Sequence, residues 1–144
     1  MGHFKLEELL ASDAAKKIKN QHSPSWEVVE NLKKLVDRIL EPVRERFGGP
    51  ITVTSGFRNK LVNSYVNGSP TTQHEKGEAA DIKASSWNRQ RELWELILEM
   101  IQNGEIEVGQ LIHYSPKQDP KSTPQWIHIS LPGSHHNQVL YKKN

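Results

Sequence analysis

The sequence predicts an α+β fold, a small and mainly antiparallel sheet with helices packed on one of its faces. Three observations carry this. Val28 to Phe47 and Leu93 to Ile101 repeat apolar residues at intervals of three and four, the period of a helix with one core-facing stripe. Five shorter stretches read as strands, Ile51 to Thr54 being β-branched and alternating and Trp126 to Ser130 alternating. The length, 144 residues, suits one domain with one core, so residues 1–144 are expected to form a single unit.

In chain order, residues 4–20 read as a short, partly helical lead-in on Phe4, Leu6, Leu9 and Leu10 that dissolves into a Lys/Asn-rich loop. Ser23-Pro24 has the form of an N-cap followed by proline at the first helical position. Val28, Leu32, Leu35, Val36, Ile39, Val43 and Phe47 then form the stripe, plain core packing, with Pro42 expected to kink or break the last turn and Gly48-Gly49-Pro50 to end it. Ile51 to Thr54 is a strand, Ser55 to Pro70 a polar loop, and Ala79 to Lys83 a short strand. Trp87 to Gln102 is a second helix, stopped by Asn103-Gly104, with Trp87 and Trp94 expected to pack it onto the sheet. Gln110 to Tyr114, Gln125 to Leu131 and Gln138 to Tyr141 are further strands, and Ser115 to Pro124 is expected to be a mobile connection.

Composition excludes more than it selects. With 19 basic and 17 acidic residues the net charge is +2, too small and too scattered for a nucleic-acid partner. There is no cysteine, which removes disulfides, thiolate–zinc knuckles and cysteine nucleophiles together. Any metal must therefore sit on imidazole and carboxylate. No apolar run approaches the ~20 residues a membrane span needs. The first residues lack the apolar stretch and small-residue cleavage site of a signal peptide, so synthesis without export is expected.

The informative stretch is Thr71-Thr-Gln-His-Glu-Lys-Gly-Glu-Ala-Ala-Asp81. Gly77 permits a sharp change of direction, after which Ala79-Ala80-Asp81 enters a strand; such a turn can swing His74 back over Asp81. In Trp126-Ile-His-Ile-Ser130, alternation sends Ile127 and Ile129 into the core and His128 to the other, wet face. Two histidines and one carboxylate leave a fourth tetrahedral position for water, as in catalytic zinc. Spacing alone favours ordinary surface histidines over a zinc site. The His-Glu-x-x-His motif is absent, because position 78 is Glu. His135-His136, His3 and His22 read as solvated.

At these residues the chain resembles the zinc D-Ala-D-Ala carboxypeptidase and L-alanyl-D-glutamate endopeptidase family, whose fold is shared with the hedgehog signalling domain. The likeness runs through Leu40-Glu-Pro-Val-Arg44, Thr54-Ser-Gly-Phe-Arg58, Thr72-Gln-His-Glu-Lys-Gly-Glu-Ala-Ala-Asp81, Gln110-Leu-Ile112, Trp126-Ile-His-Ile-Ser130 and Gln138-Val-Leu140. It implies a peptidase of bacterial cell-wall stem peptides, of a phage or prophage lysin branch, with His74, Asp81 and His128 binding Zn2+. It further implies that Arg58 holds a substrate carboxylate or an oxyanion, that Thr72 keeps a hydroxyl for substrate, and that Trp126 walls the cleft. The expected partner is a peptidoglycan stem peptide, met after release from the cell; no nucleic acid or membrane is expected, and the chain is expected to be a monomer.

One position departs from the pattern. Where many relatives carry an acidic general base, three residues before the last zinc histidine, this chain has Gln125, which can orient water but not deprotonate it. Three readings stay open: a base supplied by Glu75, Glu78 or His113, slow turnover by zinc alone, or a domain that binds without cleaving.

Overall fold

A computed structural model describes residues 2–10, 25–58 and 73–144. In chain order it contains α1 (Leu6–Leu10), α2 (Trp26–Leu35), a π-helical turn (Val36–Leu40), α3 (Glu41–Phe47) and β1 (Ile51–Ser55). A 3-10 turn (Gln73–Lys76) leads into β2 (Ala79–Ala84), and a second one (Trp87–Arg89) into α4 (Gln90–Gln102). The chain closes with β3 (Gln110–Ser115), β4 (Trp126–Ser130) and β5 (Gln138–Lys143). The five strands form one open sheet in the order β1-β2-β4-β3-β5. All neighbours are antiparallel except β3 and β5. This is the α+β class the patterns predict.

The long helical stretch starts where a cap can be made. Ser25 is extended, and its hydroxyl accepts the Val28 N–H at 3.3 Å, satisfying one otherwise orphaned donor. The expected cap at Ser23-Pro24 lies outside the described residues. Pro42 neither ends nor interrupts the run. Proline lacks an N–H and its ring crowds the carbonyl four residues back; the turn just before it widens, with the Glu41 N–H bonded to the Val36 carbonyl. The helix therefore passes Pro42 and stops at Gly48, whose left-handed φ of 68° closes it.

Leu32, Leu35, Ile39 and Val43 from this stretch and Leu93, Trp94, Ile97 and Met100 from α4 are buried in one cluster with Ala80, Ile82, Leu111, Ile127 and Ile129 from the sheet. Each fully buried aliphatic side chain stabilises the fold by about 1.5–3 kcal/mol. Strand alternation then assigns the opposite face to Asp81, Trp126, His128, Ile112 and Tyr114. The candidate site stands on that face.

Two expectations are corrected. Trp94 is buried in the core as expected, but Trp87 is 59% exposed, because it lies in the 3-10 turn before the first α-helical residue of α4. The Ser115 to Pro124 connection is pinned, not loose. Arg91 donates to the carbonyls of Pro120 and Ser122, at 3.0 and 2.6 Å. The buried Gln90 side chain bridges the Ala84 N–H and the Pro124 carbonyl, at 2.6 and 3.0 Å. Among the described residues no helix is long and apolar enough to cross a membrane.

Candidate metal centre

The two central strands supply the first pair of side chains. In the β2–β4 register Asp81 lies directly opposite His128, so their side chains leave the sheet on the same face. The His128 Nδ1 is 3.1 Å from Asp81 Oδ1. The face is not wet, as alternation alone had suggested: His128 is only 7% exposed. Alternation fixes which way a side chain points, not what covers it.

The third side chain arrives from the turn before β2. His74 sits in the Gln73–Lys76 turn, and Gly77, with φ of 74°, redirects the chain into the strand. That turn is seated on α2. A Cβ at Gly77 would lie 2.7 Å from the Val28 carbonyl oxygen, and Asn31 donates to the Lys76 carbonyl at 2.9 Å. From there His74 turns its Nε2 to within 3.3 Å of the same Asp81 oxygen. Its other ring nitrogen, Nδ1, lies 2.7 Å from the Gly56 carbonyl. A carbonyl only accepts, so Nδ1 carries the proton and Nε2 presents a lone pair to the cluster.

One segment secures this ring. The Arg58 N–H donates to the His74 carbonyl at 3.0 Å, and the Phe57 N–H donates to the Leu9 carbonyl at 2.7 Å. Residues 56–58 thus tie the N-terminal α1 to His74. A Cβ at Gly56 would sit 2.1 Å from the Leu9 oxygen, which is why this position is glycine.

The ligand atoms of His74, Asp81 and His128 all lie within 4.8 Å of one another. At a tetrahedral zinc with bonds of about 2.0–2.1 Å, neighbouring donors stand about 3.3 Å apart. The two nitrogen–oxygen separations, 3.3 and 3.1 Å, match. The donor set, two imidazoles and one carboxylate, is one that zinc accepts, and the carbonyl behind His74 is the outer partner such ligands use to fix their orientation. The residues fit a divalent metal.

Electrostatics agree. Burial disfavours the charged form of Asp81, but the imidazoles, His74 foremost, outweigh it and hold the carboxyl well below the usual carboxylate range. Burial pulls the His128 imidazole below its ordinary value against the opposing pull of Asp81. Both shifts favour the deprotonated forms that bind a cation.

Around the cluster, Arg58 is part-buried on the same side, where Asp81, Tyr114 and Glu75 feel its charge. Among the described residues its buried Nε has no hydrogen-bond partner, and neither has the buried hydroxyl of Ser55, which stands opposite Asp81 in the β1–β2 register. Buried polar atoms are rarely left unpaired without a functional reason. Trp126 is half-buried and stacks on Tyr114 across β3 and β4, ring centres 4.9 Å apart. Ser55 and Tyr114 went unselected in the sequence, although Ser55 lies inside the Thr54–Arg58 motif and Tyr114 shares the parity of Ile112, which pairs with His128.

The other candidates fall elsewhere. Gln125 is exposed, and its Oε1 accepts from the Asn144 side chain rather than joining the cluster. His113 is not a base for this site: it is buried on the helix-covered face, between Trp94 and Tyr141, with Nε2 bonded to the Ser122 carbonyl at 2.8 Å. Glu75 and Glu78 flank the His74 turn, half-buried. His136 pairs loosely with Glu107 at 3.7 Å, and His3 with Glu41 at 2.8 Å. Thr72 and His22 lie outside the described residues.

No curated protein matches this chain. A family model described as Peptidase M15 matches residues 2–114, a span that holds α1 through β3 and with them His74, Asp81 and Arg58. His128 lies beyond that span, joined to it by the β2–β4 register. On a match of that extent, the chain belongs to the peptidase M15 family.

Proposed function

We propose that this protein is a zinc-dependent peptidase that hydrolyses a peptide bond in the stem peptides of bacterial peptidoglycan, at D-Ala-D-Ala or L-Ala-D-Glu, and that it acts as a lysin-like monomer. The observation that carries the reading is the convergence of His74 Nε2 and His128 Nδ1 on one oxygen of Asp81. Family membership supports peptidase chemistry, and the resemblance of the short motifs supports the substrate class.

Each residue has a part. His74, Asp81 and His128 hold the ion, with Gly56 orienting His74 through its carbonyl. Bound there, zinc supplies Lewis acidity that polarises the scissile carbonyl and acidifies water. Arg58, a fixed cation whose Nε has no partner among the described residues, binds the substrate's carboxylate or the oxygen that gains charge as the amide is attacked. Trp126 walls the cleft, and Thr72 offers a hydroxyl to the peptide. Glu75, in the same turn as His74 and near enough to act on the charge of Arg58, or Glu78 just after that turn, is the candidate to take a proton.

A second reading rests on Gln125, an amide tied to Asn144 where a base is wanted: a domain that keeps zinc and peptide binding but cleaves weakly or not at all. Mass spectrometry of purified muropeptides, incubated with zinc-loaded protein, separates the two. Loss of one D-Ala, or scission after L-Ala, supports the peptidase. Intact muropeptides that nevertheless bind the protein support the second reading. Gln125→Glu is expected to raise turnover where only the base is missing.

A further inference from the structure

Tyr114 projects toward the cluster without belonging to it. In the β3–β4 register it faces Trp126, and Ile112, two residues earlier, faces His128. Tyr114 is therefore the diagonal neighbour of His128 on the same face, a spacing of about 7–8 Å that aromatic side chains bridge. Its ring lies nearly parallel to that of Trp126, at 19° and 4.9 Å, which holds it in one orientation. The phenol is half-buried, on the face of the sheet that carries Asp81 and His128, and within range of the Asp81 and Arg58 charges.

We propose that Tyr114 is a further catalytic residue of this site, its phenol O–H donating a hydrogen bond to the substrate oxygen that gains negative charge, beside Arg58. Three features suit the role. The neutral phenol is a donor at working pH. The stacked Trp126 ring fixes the donor before substrate arrives, so little reorganisation accompanies the reaction. Partial burial weakens competition from water while leaving the hydroxyl reachable. A plain packing role would use the ring alone and be indifferent to the oxygen.

The inference rests on the peptidase reading but can be separated from it. Zinc-loaded wild type and Tyr114→Phe are compared in stem-peptide turnover and in equilibrium binding of phosphinate analogues of D-Ala-D-Ala and of L-Ala-D-Glu, whose tetrahedral oxygens imitate the attacked amide. Phenylalanine keeps the stack and removes only the hydroxyl. The expected result is a fall of about 10- to 100-fold in kcat and in phosphinate affinity, with KM, zinc content and melting midpoint unchanged. Equal kcat and equal phosphinate affinity would overturn the role, as would a parallel loss of zinc from Tyr114→Phe, which would make the residue structural. A wild type that binds the phosphinate more tightly than Tyr114→Phe yet cleaves no stem peptide would sink the peptidase reading and leave the donor standing. A wild type that holds zinc but ignores the phosphinate analogues of both bonds would overturn the donor as well.

Discussion

Replacing Gly77 with alanine would place two separate strains on the turn that carries His74. The first is conformational: φ is 74° there, and an L-residue in the left-handed region costs about 1–2 kcal/mol. The second is steric, because the new Cβ would stand 2.7 Å from the Val28 carbonyl oxygen, 2.9 Å from Val28 Cγ1 and 3.2 Å from Leu32 Cγ. Backbone oxygen cannot swing aside like a side-chain tip, so overpacking adds about 1–3 kcal/mol. Gly48 is the internal control. Its φ is 68°, but a Cβ there meets nothing within 4 Å among the described residues, so Gly48→Ala carries only the first strain. Thermal melts of the zinc-free proteins should show Gly77→Ala lowered by roughly 5–15 °C and Gly48→Ala by clearly less. Competition with a chromogenic chelator should then show zinc affinity about 10-fold or more weaker in Gly77→Ala alone, because relief of the clash displaces His74. Equal melting points and equal zinc affinities in the two variants would refute the argument that α2 seats the ligand turn.

Other consequences are open to measurement. Because folding lowers the pKa of His128 and of Asp81, each stabilises the metal-free fold above its unfolded value, about 6.5 and about 3.9, and that stability is lost as pH falls. Urea midpoints of the apo-protein should therefore decline from about pH 6.5 downward and again below about pH 4, and Asp81→Asn should flatten the lower limb; a pH-independent midpoint would contradict the burial of both groups. Gln90→Ala should destabilise by about 2–5 kcal/mol, since it strands the Ala84 N–H and the Pro124 carbonyl, with urea unfolding as the check. Trp87→Ser should move the same midpoint by no more than about 0.5 kcal/mol, whereas Trp94→Ala should remove about 3–5 kcal/mol.

Much of the fold was legible because hydrophobic period reports directly on which face is buried. The stripe from Val28 to Phe47 and the alternation in Ile127 and Ile129 announced the helix and the central strand, and small residues at 79 and 80 opened a strand whose Asp81 meets His128 in register. What period does not encode was missed. It gave His128 its direction but not its cover, so the ligand was expected in water and is buried. It expected Pro42 to kink the helix or break its last turn, and did not foresee the π-helical turn that carries the chain past it, because such a turn has no signature of its own. It could have placed His113 correctly, since that residue shares the parity of Leu111 and so belongs to the core face. Gln125 precedes β4, where alternation no longer dictates direction, and its attachment to Asn144 depends on a strand 13 residues further on. The motifs carried the ligand trio; Ser55 and Tyr114 emerged only once strand register placed them beside it.

Metal analysis of purified protein after zinc loading and desalting, run beside His128→Ala, addresses the ligand trio most directly. About one zinc per wild-type chain is expected, with affinity in His128→Ala weakened by more than about 100-fold. A wild type that retains no zinc, or a variant that binds it as tightly as the parent, would contradict the convergence of His74, Asp81 and His128 on one ion.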